Sequence, residues 1–213
     1  MHDLSIVHGD LKGVSPSPGG HANTSNSFIK ANILINNDRR ACIADFSLTT
    51  LTRGGDQTFS LMSTLSADTL VSFTAGGTPR WMSPELLDPD RFGTAESDGD
   101  RPTRESDCYA LGMVIYEVGP HTGKFALLKH ETLQVLSGHY PFYDIASGPL
   151  IVNAIIEGVR PAKPDDAASL GFNDELWKIV EQCWREKRAE RPNVEEISSC
   201  LNDATAFWYM REF

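Results

Sequence analysis

The stretch Ile6-Val7-His8-Gly9-Asp10-Leu11-Lys12-Gly13, read together with Ala31-Asn32-Ile33-Leu34-Ile35, governs how the rest of this chain is understood. Apolar flanks suited to short buried strands enclose a turn that carries Asp10, Lys12 and, after an interruption, Asn32. A carboxylate accepts a proton, an ammonium offsets negative charge, and an amide oxygen is a hard ligand for Mg²⁺. Three such groups on one loop suit chemistry on a phosphorylated ligand.

At 213 residues and 40% hydrophobic, the chain has material for one large domain with a real core, or at most two small ones. Its formal net charge of -10 would repel a polyanion, and no basic run tracks phosphates, so nucleic acid is not expected as a partner. Cys42, Cys108, Cys183 and Cys200 are scattered, without C-x-x-C or zinc spacing, and read as reduced thiols of an intracellular, cytoplasmic protein. Met1-His2-Asp3 does not open a signal peptide. The apolar run Tyr109 to Val118 is half a membrane span and contains Glu117, so a core helix is expected there and no membrane.

Around the opening stretch, Ala31 to Ile35 and Ala41 to Ala44 are β-prone runs separated by Asn36-Asn37-Asp38-Arg39-Arg40, which predicts a short hairpin with Asp45 just past it. Ser47 to Thr78 is rich in Ser, Thr and Gly and predicts a long functional loop, and Leu87 to Arg104 predicts a second one. Ser106 to Glu117 is apolar almost all round, as befits a helix enclosed by others. Leu150 to Glu157 predicts a helix stopped by Gly158. Leu176, Ile179, Val180, Cys183 and Trp184 share one helical face behind Asn173 as N-cap. Asn193 and Glu196 have capping-box spacing ahead of a last helix with Val194, Ile197 and Leu201 inward.

The order His8-Gly9-Asp10-Leu11-Lys12, Asn32, Asp45-Phe46-Ser47, Gly77-Thr78-Pro79-Arg80-Trp81-Met82 and Ser83-Pro84-Glu85 resembles that of the eukaryotic protein-kinase motifs. Ser106-Asp107 with Gly112, and Cys183-Trp184 before Arg191-Pro192, extend the resemblance over nearly the whole chain. It implies an α+β kinase-like fold, of which residues 1–213 are the mainly α-helical C-lobe with a small β hairpin. It also implies phosphoryl transfer from ATP to a protein substrate. Asp10 would be the catalytic base and Lys12 would stabilise the transferring phosphoryl; Asn32 and Asp45 would hold Mg²⁺ on ATP, and Thr78 would line the peptide-accepting loop. Glu85 and Arg191 would form a buried ion pair, and Asp107 would hold the catalytic loop through its backbone. Lys12 resembles the serine/threonine pattern and Cys183-Trp184 the tyrosine-kinase-like groups; a tyrosine-kinase-like serine/threonine kinase reconciles the two.

The chain departs from that family in places. Gly9 stands where an arginine usually pairs with a phosphate on the activation loop, and Ser47 where a glycine follows Asp45-Phe46. The 213 residues hold no G-x-G-x-x-G loop, no V-A-I-K-type lysine and no partner glutamate helix. Met1 therefore reads as an internal methionine of a longer protein, and this stretch alone is expected to have little or no activity. Asp10 and Asn32 lie 22 apart where the family spaces them by five, and deleting Val14 to Lys30 restores the pattern. Deleting Val118 to Gln134 likewise heals a helix that Gly119-Pro120 would break. Both segments are codon-compatible with retained in-frame introns; the alternative is two genuine surface insertions. A catalytically inactive, pseudokinase-like binding module, or a truncated gene product, is the rival to the enzyme.

Overall fold

The computed structural model describes residues 1–13, 15–16, 28–29, 32–35, 41–46, 49–53, 57–60, 78–92, 101–117, 140–165 and 173–209. A 3-10 turn over His2–Leu4 leads into β1 (Ile6–Val7), then β2 (Ser15–Pro16), β3 (Phe28–Ile29), β4 (Ile33–Ile35), β5 (Ala41–Ile43), β6 (Thr50–Arg53) and β7 (Gln57–Ser60). A second 3-10 turn, Thr78–Trp81, precedes α1 (Pro84–Leu87), α2 (Arg104–Glu117), α3 (Gly148–Ile156), α4 (Asp174–Cys183), a 3-10 turn over Arg188–Glu190, and α5 (Val194–Tyr209). The described part is thus mainly helical with only small strands.

Helix α2 is the rod on which the others rest. From Ser106 to Glu117 every residue but Leu111 is buried, so a one-sided apolar stripe would not have sufficed. It starts two residues before the expected Ser106 because Thr103 caps it: the Ser106 N–H donates to Thr103 Oγ1 (3.2 Å) and the Thr103 N–H to Ser106 Oγ (2.8 Å). Helix α4 lies against it at Gly112, where an added Cβ would sit 2.6 Å from the Cβ of Cys183; only glycine permits that approach. Beside this crossing Tyr116, Trp177 and Trp184 pack ring on ring, with centroids 5.8–6.4 Å apart.

The expected caps are in place. Asn173 Oδ1 accepts from the Leu176 N–H (2.7 Å), while Asn193 and Glu196 exchange the two bonds of a capping box, each at 2.9 Å. Helix α3 begins at Gly148, ahead of the expected Leu150, because Pro149 suits a first turn that needs no N–H. At its other end Gly158 adopts φ +80°, and the Gly158 and Val159 N–H groups return to the carbonyls of Ile155 and Ala154.

The expected hairpin forms between β4 and β5, with Ile33 opposite Ile43 and Ile35 opposite Ala41. The continuous loop expected from Ser47 is corrected. There, β6 pairs antiparallel with β1 and β7 with β6, giving a three-stranded sheet in the order β1-β6-β7. The partner of β6 lies at the start of the chain, so no local periodicity announces it. Residues 14, 17–27 and 30 of the first insertion, Ser47, residues 61–77 of the expected loop, and residues 118–134 lie outside the described residues.

Candidate active site

The turn after β1 is held from below by the first turn of α2. Asp107 accepts the His8 N–H on Oδ2 (2.7 Å) and the Gly9 N–H on Oδ1 (2.9 Å), and His2 Nε2 lies 3.1 Å from Oδ2. A carboxylate at a helix N-terminus is favoured by the unpaired N–H groups there, so a group that suits α2 also anchors the loop. Gly9 adopts φ +83°, a conformation open to glycine and strained for the arginine that the motif comparison expects.

His8, which sequence reading left without a role, is fully buried and stitches two segments together. Its Nδ1 accepts from the Asp10 N–H (3.2 Å), so its Nε2 must carry the proton donated to the Ala44 carbonyl at 3.0 Å. The Ala44 N–H also donates to the Asn32 carbonyl (2.8 Å), and Phe46 leans on the His8 ring at 5.4 Å. Asp45, exposed and at φ +60°, is thereby carried beside the loop by backbone bonds on its neighbour. The signal was its place two residues before Asp10, within the quoted motif.

Asp10, Lys12 and Asn32 converge and are buried. Lys12 Nζ donates to Asp10 Oδ2 at 2.6 Å, while Asn32 Nδ2 donates to the Asp10 carbonyl (2.6 Å) and to Asp10 Oδ2 (3.0 Å). Oδ1 of Asp10 is buried without a partner among the described residues. Loss of water raises the Asp10 pKa above its ordinary value; Lys12, Asn32 and His8 pull the other way but do not cancel it. The site so holds a carboxylate with one oxygen occupied and the other buried without a partner among the described residues.

The 22-residue separation of Asp10 and Asn32 does not prevent this. Strands β2 and β3 pair antiparallel, Ser15 opposite Ile29 and Pro16 opposite Phe28, and the Asn32 N–H reaches the Lys12 carbonyl at 3.2 Å. These contacts hold the two ends of the insertion together next to the loop, and lengthening a closed loop costs only about 0.6 kcal/mol per doubling.

Farther out, Glu85 and Arg191 form a two-pronged ion pair, Nη1 to Oε1 at 2.6 Å and Nη2 to Oε2 at 2.7 Å. Thr78 opens the 3-10 turn that precedes α1; its side chain lies outside the described residues. With its nitrogen committed to Asp10, the atom Asn32 has left for a cation is its oxygen, and Asp45 adds an exposed carboxylate. Both are hard oxygen donors of the kind Mg²⁺ takes.

The family model for protein tyrosine and serine/threonine kinases matches residues 28–201. The chain belongs to this protein kinase family. Among its curated relatives are a probable serine/threonine-protein kinase of Dictyostelium discoideum, 22% identical over 95% of this chain and 15% of the relative, and a light-sensor protein kinase of Ceratodon purpureus, 25% identical over 94% and 13%. The ephrin type-A receptor 7 of Gallus gallus is 24% identical over 80% of this chain and 13% of that protein. The chain thus spans a small fraction of the length of the kinases it matches. No described helix is long and apolar enough to cross a membrane.

Proposed function

We propose that residues 1–213 are the C-lobe part of a protein kinase domain, with insertions at 14–30 and 118–134, whose full-length form moves the γ-phosphoryl of ATP to serine or threonine of a protein substrate. The observation that carries this reading is the state of Asp10, with Oδ2 filled by Lys12 and Asn32 and Oδ1 buried and open. An acceptor hydroxyl placed at Oδ1 would be oriented by it and give up its proton there. The raised Asp10 pKa, caused by loss of water around the carboxylate, makes it a better proton acceptor than a solvated carboxylate. Lys12, held against the same carboxylate, supplies positive charge where negative charge builds on the transferring group. Asn32 and Asp45 would hold Mg²⁺, which when bound offsets charge on the ATP phosphates. Thr78 would line the peptide side.

Serine/threonine acceptors are favoured by Lys12 two residues after the base, as the motif comparison implies. The rival reading is a binding module without catalysis. It draws on the absence from these 213 residues of a glycine-rich loop and a V-A-I-K-type lysine, which elsewhere in the family clamp the phosphates. Mg²⁺-ATP affinity and phosphoryl transfer, measured on this stretch and on a form extended upstream, separate the two. We expect weak binding and no transfer from the 213 residues, and transfer from the extended form that Asp10→Asn abolishes. Tight binding by the 213 residues alone, or an extended form that never transfers phosphate, would overturn the proposal.

A further inference from the structure

Arg80, which the proposed chemistry does not use, makes three side-chain hydrogen bonds to described residues near this site. It sits in the 3-10 turn opened by Thr78 and is buried. Its Nη1 donates to the carbonyls of Pro141 (2.7 Å) and Phe142 (2.5 Å), its Nη2 donates to that of Ile145 (3.1 Å), and its guanidinium carbon lies 4.3 Å from the centre of the Tyr140 ring. The segment so gripped is irregular, and Phe142 within it is at φ +56° with its ring buried. A bulky residue keeps that conformation only where its surroundings over-determine it, and three carbonyls fixed on one planar fork do so.

On the other side, the turn is tied to the catalytic loop. Trp81 Nε1 donates to Glu117 Oε2 at 3.2 Å, and Glu117 is fully buried at the end of α2. That carboxylate lies so close over Gly13, the residue after Lys12, that a Cβ there would be 1.9 Å from Oε2. Gly13, Glu117, Trp81, Arg80 and the Tyr140–Ile145 segment therefore form one continuous run of contacts from the loop bearing Asp10 outward.

From this geometry we infer that Arg80 is a positioning residue for the protein substrate: it locks the Thr78 turn to the Tyr140–Ile145 segment as one rigid wall beside Asp10 and Lys12. The inference rests on the kinase reading above. Its consequence is selective. Loosening the wall weakens engagement of the protein acceptor and leaves ATP, which meets Asn32 and Asp45, unaffected.

The test is steady-state phosphorylation of casein by the upstream-extended form carrying Arg80→Gln or Arg80→Lys. Arg80→Gln should raise the KM for casein about tenfold while kcat and the KM for ATP stay within about twofold, and Arg80→Lys should fall between, since an ammonium reaches fewer of the three carbonyls. An unchanged casein KM, or an equal loss on the ATP side, overturns the inference. Hydrogen exchange on the 213-residue chain gives an activity-free decision. Arg80→Gln must speed exchange at Thr78–Trp81 and at Phe142–Ile145 together, and failure at either overturns it. If Arg80→Gln does not fold, Arg80→Lys is read in the same two assays. An extended wild type that phosphorylates nothing defeats the kinase reading instead, and the exchange result then judges the wall alone.

Discussion

Two buried ion pairs in this molecule differ in how completely they are satisfied. Arg191 and Glu85 use both prongs, and Arg191 also donates to the carbonyls of Arg185, Glu105 and Glu186, with the Tyr109 ring 5.1 Å from its guanidinium. Lys12 and Asp10 share a single contact, Asn32 crowds the same oxygen, and the second oxygen of Asp10 is left open. Burying charge is costly in both places. Where every donor and acceptor is matched, the outcome is a fixed joint between the start of α1, the start of α2 and the turn before α5. Where one acceptor is unmatched, the cost is retained in the folded state, and in the proposed chemistry the acceptor hydroxyl would relieve it. The saturated pair ties elements of the fold together; the unsaturated one is the pair to which the proposed function gives the chemistry.

The largest effect should come from cutting the open acceptor. In the extended form, Asp10→Asn should lower phosphoryl transfer about 10²–10⁴-fold, measured with radiolabelled ATP. Stability should not follow activity down. A carboxylate whose pKa is raised in the folded state contributes stability below its ordinary pKa and loses it as pH rises through the raised value. The asparagine variant escapes that loss but leaves the buried Lys12 ammonium beside a neutral amide, so its unfolding midpoint should fall by less than that of Glu85→Gln. A fall as large as that would make Asp10–Lys12 a structural pair and erase the contrast. Glu85→Gln is the reciprocal change. It leaves the Arg191 guanidinium, whose side chain has no exposed surface, facing a neutral amide, and should cost about 3–5 kcal/mol in denaturant unfolding. Residual activity per folded molecule should be little changed.

The helices were easier to see in the sequence than either ion pair's contacts, and Glu85–Arg191 was expected only through the family resemblance. Caps at Asn173 and Asn193, the stop at Gly158 and the face from Leu176 to Trp184 are written within a few residues of where they act. The pairing of β6 with β1, and the reach of His8 to Ala44 and of Arg80 to the carbonyls of Pro141, Phe142 and Ile145, join parts far apart in the chain, so no local pattern encodes them. Asp10, Lys12 and Asn32 were legible as types in order. That Asn32 would turn its nitrogen to Asp10 depends on folding across the β2–β3 ribbon.

Lys12→Met tests the unsaturated pair from its other side with a smaller effect. Lys12 lowers the Asp10 pKa both by its hydrogen bond and by its charge, while desolvation raises it. Removing the ammonium leaves desolvation less opposed, so the Asp10 pKa rises further and the acid limb of kcat/KM moves to higher pH. The rate on the plateau should fall about 10²-fold, as when one donor to developing charge is removed. An acid limb that stays in place, or moves to lower pH, would separate that limb from Asp10.

Arg91 and Glu157 extend the comparison to an ion pair that is not buried at all. Their contact is as short as the others, 2.7 Å, yet the two side chains are 47% and 55% exposed. Glu157 has its pKa lowered by the Arg91 hydrogen bond and charge, so its contribution to stability is present above the ordinary carboxylate pKa and lost as pH falls through the lowered value. Water and salt screen that contribution, and holding two long side chains in one geometry costs entropy. Arg91→Ala should therefore leave the unfolding midpoint at pH 7 where it was, in low and in high salt alike. Distance alone would rank this pair with the other two. A loss of stability comparable to that of Glu85→Gln would mean that length rather than burial and saturation sets the worth of these contacts, and the contrast between Arg191–Glu85 and Lys12–Asp10 would lose its physical basis.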